Sequence, residues 1–165
     1  MTNMITIVKH TEITDERGST VLFNHPEFNP QMVYSKFKKN VLKGLHFQTN
    51  PWCVKKVYLL KGCIIDVCVS LHNNNNLGVS TSVYLTAPLQ FVVPIGYAHG
   101  VLALEDTELM YDFIPYWDNL STYSLKWNDE QLEIPWKQFG NDFIMSDKDK
   151  RGLTLQQIKE MGLTY

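Results

Sequence analysis

The 165-residue chain lacks a charge excess of either sign, a long apolar run and closely paired cysteines. Its net charge of −2 argues against a general nucleic-acid binder, which needs a strongly basic surface. No stretch approaches the roughly 20 apolar residues of a membrane helix, and the N-terminal residues do not resemble a signal peptide. Cys53, Cys63 and Cys68 form no CxxC pair, so we expect buried free thiols. These features predict a cytoplasmic protein with no membrane or nucleic-acid partner.

Short apolar or alternating segments recur along the chain and are separated by turn residues. Hydrophobic residues make up 44% of the sequence, enough for one core, and we expect one domain over residues 1–165. A short helix is predicted at 155–161 behind a Thr154 cap. Many short strands at this spacing predict an all-β fold, here a jelly-roll barrel. The predicted strands are 4–9, 19–23, 31–37, 41–47, 55–60, 63–70, 79–86, 90–93, 99–104 and 108–113.

The segment KGLHFQ at 43–48 places a histidine in an alternating strand. Leu45 and Phe47 share one face, so His46 and Gln48 share the other face with Gly44. If that second face lies inside a barrel, it forms a polar pocket. A histidine with a purely structural hydrogen bond is an equally good interpretation of this motif alone.

The segment PIGYAHG at 94–100 is more specific, because a Pro-x-Gly-x-x-His turn entering a strand resembles the second motif of cupins. In metal-binding cupins this histidine joins a His-x-His pair, whereas the corresponding region here reads His46-Phe47-Gln48. A transition metal normally needs three or four protein ligands. We count only His46 and His99, and therefore predict no catalytic metal. A structural role for His99 remains open.

Five motifs, taken together and in order, resemble the dTDP-4-dehydrorhamnose 3,5-epimerase family. They are DERG at 15–18, GLHFQ at 44–48, PIGYAHG at 94–100, WND at 127–129 with Ile134 and Trp136, and MSDKD at 145–149. The resemblance covers nearly the whole chain. It implies a cupin-like barrel and an isomerase that needs no cofactor.

The resemblance also assigns catalytic residues. Epimerisation beside a ketone needs a base, an acid and stabilisation of an enolate. The family's base corresponds to His46, the aspartate that orients it to Asp149, and its acid to Tyr111. A family lysine that stabilises the enolate corresponds to Lys55 or Lys56; we favour Lys55, because that alignment places a deletion in a loop.

Substrate-binding positions follow from the same resemblance. Arg17 and Lys43 correspond to family arginines that bind the diphosphate, and Lys43 keeps the charge without the guanidinium fork. His99 and Gln48 are expected to line the sugar pocket, with Lys56 as the alternative lysine. Gln31 is retained near the nucleobase.

The nucleobase surface also departs from the family, because Leu22 and Val33 replace polar residues. The nucleotide is therefore dTDP, GDP, UDP or CDP.

The expected function is inversion of C3 and/or C5 in a 4-keto-6-deoxy or related 4-keto hexose nucleotide. The product would enter surface polysaccharide, such as lipopolysaccharide, or another glycoconjugate. The alternatives are a single-centre epimerase, a sugar-nucleotide 3,4-ketoisomerase and a non-catalytic sugar-binding module. A homodimer is expected, because the family's N-terminal strands cross between subunits and segment 4–9 offers an edge strand.

Overall fold

The computed structural model describes residues 8–23 and 31–165, which form eleven strands and two short α-helices. All but residues 8 and 9 of the predicted strand 4–9 lie outside the described residues. The strands are β1 Glu12–Asp15, β2 Gly18–Phe23, β3 Gln31–Phe37, β4 Leu42–Gln48, β5 Val54–Lys61, β6 Cys63–Ser70, β7 Ser80–Thr86, β8 Leu89–Val93, β9 Tyr97–Ala103, β10 Thr107–Ile114 and β11 Thr122–Ser124. The helices are α1 Asp147–Lys150 and α2 Leu155–Glu160.

The strands form two antiparallel sheets, so the predicted all-β, cupin-like fold is confirmed. One sheet has the order β1-β2-β3-β10-β5-β8, and the other has the order β11-β4-β9-β6-β7. An inner core of residues such as Val57, Val101 and Leu109 fills the space between them. Because one face of each sheet is buried there, apolar residues alternate along most strands, which is the pattern visible in the sequence.

A second, outer core covers the other face of the five-stranded sheet. Leu45 and Val67 point outwards from β4 and β6, and Trp136 and Ile158 from the C-terminal third pack against them. Strand β6 is therefore buried on both faces, which explains its almost continuous apolar run. This packing holds the C-terminal third of the chain against the barrel.

The predicted C-terminal helix is confirmed as α2, which begins with a capping box between Thr154 and Gln157. Helix α1 was not predicted; it is a single turn whose N-terminus is capped by Ser146. Among the described residues, no helix is long and apolar enough to span a membrane.

An irregularity between β4 and β9 changes which side chains enter the barrel. Lys43 pairs with Val101 and His46 pairs with His99, so β4 uses three steps where β9 uses two. The extra residue is typical of a β-bulge, which re-aims the side chains beside it. Lys43 therefore joins His46 on the inner face, where simple alternation had placed Gly44. Gly44 instead lies against the neighbouring backbone of Gly100.

The bulge leaves no room for a side chain at Gly44, so we expect Gly44→Ala to destabilise the fold. A Cβ atom there would lie 2.6 Å from the Gly100 Cα, and the φ of +119° is unfavourable for an L-residue. The free energy of unfolding should fall by about 3 kcal/mol, the upper end of typical overpacking costs. Urea denaturation with an unchanged m-value measures this loss.

Gly162→Ala is the matched control, because Gly162 also has a positive φ of 67° but nothing within 4 Å of its Cβ position. Its cost should be only the left-handed backbone penalty of about 1–2 kcal/mol. Equal losses in the two variants would show that the contact with Gly100 is unimportant.

Candidate active site

A cavity of about 300 Å³ opens between the two sheets, and charged side chains from separate elements reach it. Its titratable lining residues include Arg17, Lys43, His46, Lys55, His99, Tyr111, Lys148 and Asp149. The fold brings together residues more than a hundred positions apart in the chain, such as His46 on β4 and Asp149 on α1. Eight of the ten site residues expected from the sequence line the cavity; Gln48 is among them, although its amide is engaged elsewhere.

His46 and Asp149 form a close pair at the cavity wall. The His46 Nε2 lies 2.5 Å from the Asp149 Oδ1, and the Asp149 side chain is almost fully buried. Ser146 holds the turn in place, because its Oγ accepts a hydrogen bond from the Asp149 backbone N–H at 3.1 Å. The carboxylate can therefore fix both the tautomer and the orientation of the imidazole.

The protonation states of this pair suit a base. Burial lowers the pKa of His46 and outweighs the opposing effect of its hydrogen bond to Asp149. Burial raises the pKa of Asp149, but the interaction with His46 lowers it by more. The net pKa of Asp149 is therefore below its ordinary value. A neutral imidazole beside an ionised carboxylate can accept a proton, and the resulting imidazolium is stabilised.

His99 belongs to a second histidine–carboxylate pair that the sequence had not suggested. Its Nε2 lies 2.6 Å from the Oδ2 of Asp66, and both side chains are buried. Asp66 lies in the apolar run of β6, where an ionised side chain is costly unless it has a partner. A lone carboxylate in an apolar strand was therefore the sequence signal that Asp66 needs a buried partner. Because Asp66 faces the inside of the barrel, that partner is His99 on the neighbouring strand β9.

The two candidate lysines lie on opposite faces of β5. The Lys55 Nζ is buried in the cavity and donates a hydrogen bond to the His46 carbonyl at 2.8 Å. The Lys56 Nζ lies outside the barrel, 4.0 Å from an oxygen of Asp112. Lys56 is therefore removed from the set of cavity residues, and the pKa of Lys55 is lowered by burial.

Tyr111 enters the cavity from the sheet opposite His46, because β10 and β4 belong to different sheets. Burial raises the pKa of Tyr111, so its phenol stays protonated. Its ring stacks on Phe113 at a centroid distance of 6.1 Å. A protonated phenol and an imidazole thus reach the same space from opposite walls.

Arg17 and Lys43 place positive charge beside the cavity. The Arg17 guanidinium is held by the Asp15 carboxylate, with its Nε 3.1 Å from one oxygen. Burial and the nearby Arg17 charge lower the pKa of Lys43 to about 8. An anion bound beside Lys43 would therefore favour the charged form of this lysine.

The two expected glutamines hold the loop after β10 through their side-chain oxygens. The Gln31 Oε1 accepts a hydrogen bond from the Trp117 backbone N–H at 2.8 Å, and the Gln48 Oε1 accepts one from Asp118 at 2.7 Å. Gln31 does not line the cavity, but Trp117 does. The sequence analysis missed Trp117, which lies in a loop without periodic signal.

The count of metal-ligating residues also needs correction. Only His46 and His99 were expected from the sequence, but Asp66 and Cys68 lie beside His99, with the three ligand atoms within 4.8 Å of one another. The absence of a catalytic metal stays a prediction. A shortage of candidate ligands is no longer an argument for it.

Comparison with known proteins gives consistent matches. The family model for dTDP-4-dehydrorhamnose 3,5-epimerase matches residues 3–157. The enzyme of that name from Escherichia coli is 35% identical over 147 residues, 86% of this chain and 79% of its own. Its namesake from Methanothermobacter thermautotrophicus is 32% identical over 172 residues, 92% and 89% of the two chains. A Bacillus anthracis structure of that name, with TDP and PPi bound, has a TM-score of 0.70, 26% identity and coverage of 88% and 99%.

We expect the imidazole of His46 to titrate below the ordinary histidine pKa of 6.5, because burial disfavours its charged form. Asp149→Asn should lower the pKa of His46 further, since the carboxylate is the group that favours the imidazolium. Asp147→Asn, on the exposed side of the same helical turn, is the matched control and should leave the pKa of His46 unchanged. The ring C–H chemical shifts followed by NMR against pH report these values. A pKa of His46 above 6.5, or one unaffected by Asp149→Asn, would contradict this account of the pair.

Proposed function

The chain belongs to the dTDP-4-dehydrorhamnose 3,5-epimerase family, and on that basis we propose that it inverts C3 and/or C5 of a nucleotide-linked 4-keto-6-deoxy hexose. One observation carries the proposal. The neutral imidazole of His46, held by the Asp149 carboxylate, faces the protonated phenol of Tyr111 on the opposite wall. Inversion requires this arrangement, because the proton must leave one face of the carbon and return to the other.

The reaction balances without an oxidant or reductant. The 4-keto group acidifies the adjacent C–H, and the His46 ring nitrogen that does not face Asp149, Nδ1, takes that proton while the Asp149 carboxylate on Nε2 balances the imidazolium charge. The electron pair moves onto the ketone oxygen as an enolate, which the Lys55 ammonium is placed to stabilise. The Tyr111 phenol then delivers a proton to the opposite face, and solvent restores both groups.

The remaining polar residues suit the rest of the ligand. Arg17 and Lys43 would bind the diphosphate, and His99, held by Asp66, would line the sugar position. Val33, which lines the cavity, offers the base no hydrogen bond, so strict selection of thymine is not expected. The names of the relatives favour dTDP among the four nucleotides considered, and the sugar would serve deoxysugar synthesis for a polysaccharide or glycoconjugate.

A homodimer stays part of the proposal. The outer face of the six-stranded sheet exposes Met32, Leu60 and Val92, whose side chains are 37%, 48% and 54% exposed. Met32 and Val92 lie in one row across this face, with Asp112 and Lys56 between them, and a second copy would cover them. The N-terminal segment on which the sequence prediction rested lies mostly outside the described residues.

We expect His46 and Tyr111 to be separable by isotope exchange. With a dTDP-linked 4-keto-6-deoxy hexose in D₂O, Tyr111→Phe should still label the ring carbon but form little inverted product, because His46 can return deuterium to the same face. His46→Asn, which keeps a donor for Asp149, should stop both labelling and inversion, a loss of about 10²–10⁴-fold. NMR of the sugar protons follows both events.

Nucleotide binding by calorimetry controls for intact folding of both variants. Inversion by Tyr111→Phe at the wild-type rate, or continued exchange by His46→Asn, would reject the assigned roles. A non-catalytic sugar-binding module would show binding without exchange in the unmodified protein, and a ketoisomerase would move the keto group to C3.

The depressed pKa of Lys43 predicts a pH-dependent affinity for dTDP. The charged form is present below pH 8 and is lost as the pH rises, so the dissociation constant should increase about tenfold between pH 7 and pH 9. Lys43→Arg should remove most of this dependence, because a guanidinium stays charged throughout that range. Calorimetry across this pH range tests the point, and an equally steep profile in Lys43→Arg would assign the titration to another group.

A further inference from the structure

Three metal-ligating side chains converge on the inner face of the five-stranded sheet, next to the proposed base but separate from it. Asp66 and Cys68 occupy alternate positions of β6, so they point to the same side. Cys68 lies directly opposite His99 in the pairing of β6 with β9. The sheet register thus brings a carboxylate, a thiol and an imidazole together.

The contacts among these groups resemble a ligand set without its ion. Asp66 directs one oxygen to the His99 Nε2 at 2.6 Å and the other to the Cys68 Sγ at 3.7 Å. All three ligand atoms lie within 4.8 Å of one another. Tetrahedral zinc, with bonds of roughly 2.0–2.3 Å, holds its ligand atoms about 3.3–3.7 Å apart. Small side-chain movements would therefore bring the three atoms to bonding distance of one ion.

We propose that Asp66, Cys68 and His99 bind one thiophilic divalent cation, Zn²⁺ or Co²⁺. A thiolate and an imidazole favour these ions over Mg²⁺ and Ca²⁺, which prefer oxygen ligands. Cys68 releases its proton to solvent on binding, and the two ligand charges then neutralise the ion. Three protein ligands leave a fourth position for water.

The site has a route to solvent and stands alone in the described part of the chain. Cys68 is partly exposed, whereas Asp66 and His99 are buried. Within residues 8–23 and 31–165, no second group of three His, Cys, Asp or Glu side chains is placed as closely. Cys53 and Cys63 lack such neighbours, so they serve as internal controls.

The expected consequence of binding is inhibition, which rests on the proposed function. His99 lines the cavity and is oriented by Asp66, and an ion between them would replace that hydrogen bond and draw the imidazole away from the sugar position. The site would therefore restrain the enzyme, and chelator treatment of the zinc-loaded protein would restore the rate of the metal-free enzyme.

Titration of the purified chain with Co²⁺ tests the site without substrate. One equivalent should produce a thiolate-to-cobalt charge-transfer band, and Zn²⁺ should displace it. Cys68→Ser should abolish the band, because serine offers no thiolate. It should also weaken binding by at least about 10–100-fold, since losing even a residue that only orients a ligand typically costs that much. Cys63→Ser, on the same strand, should retain the band, and so should Cys53→Ser in the cavity wall.

The proposal is overturned if no band appears, if it persists in Cys68→Ser, or if either control variant loses it. Inhibition is measured separately as exchange activity with one equivalent of Zn²⁺. Full activity of the zinc-loaded protein would refute the inhibitory role, and a zinc-sensitive Cys68→Ser would assign the inhibition to another site. Because cobalt binding is read directly, it does not depend on whether the proposed reaction is correct.

Discussion

The hydrogen bond between His46 and Asp149 is the constraint on which the rest of the site depends. It joins β4 to a single helical turn a hundred residues later and buries a carboxylate almost completely. Losing His46 would leave the buried Asp149 carboxylate without its side-chain partner, and an unsatisfied buried group typically costs about 1–3 kcal/mol or more when it is charged. The short helix cannot hold Asp149 alone; the outer core, including Trp136 and Ile158, fixes the C-terminal third against the sheet.

The bulge in β4 completes this arrangement from the other side. In regular alternation, Lys43 and His46 would point to opposite faces, and the cavity would lose a cation. One extra residue, accommodated because Gly44 lies against Gly100, turns both side chains inwards. The same strand therefore supplies the proposed base and an anion-binding charge, while Leu42 and Leu45 fill the outer core.

The sequence predicted most of the strands because alternation of apolar residues records which face is buried. The family resemblance favoured Lys55 over Lys56, because that alignment places a deletion in a loop, and Lys55 lies on the inner face of β5. Only the family resemblance placed Lys43 in the site, because a bulge breaks the alternation that would otherwise have put it on the outer face. Asp66 and Trp117 were missed for different reasons: one is hidden in an apolar run, and the other belongs to a loop held by distant glutamine side chains.

The charges in the cavity are arranged so that the proposed reaction does not change them much. Four cations, Arg17, Lys43, Lys55 and Lys148, line the cavity, and the carboxylates of Asp149 and Asp66 are each already bonded to a histidine. The carboxylates therefore act mainly on the imidazoles, and the cations remain available to a diphosphate and to a developing enolate. Since burial strengthens all these interactions, the same low-dielectric setting that keeps His46 neutral also makes an enolate beside Lys55 less costly than it would be in water.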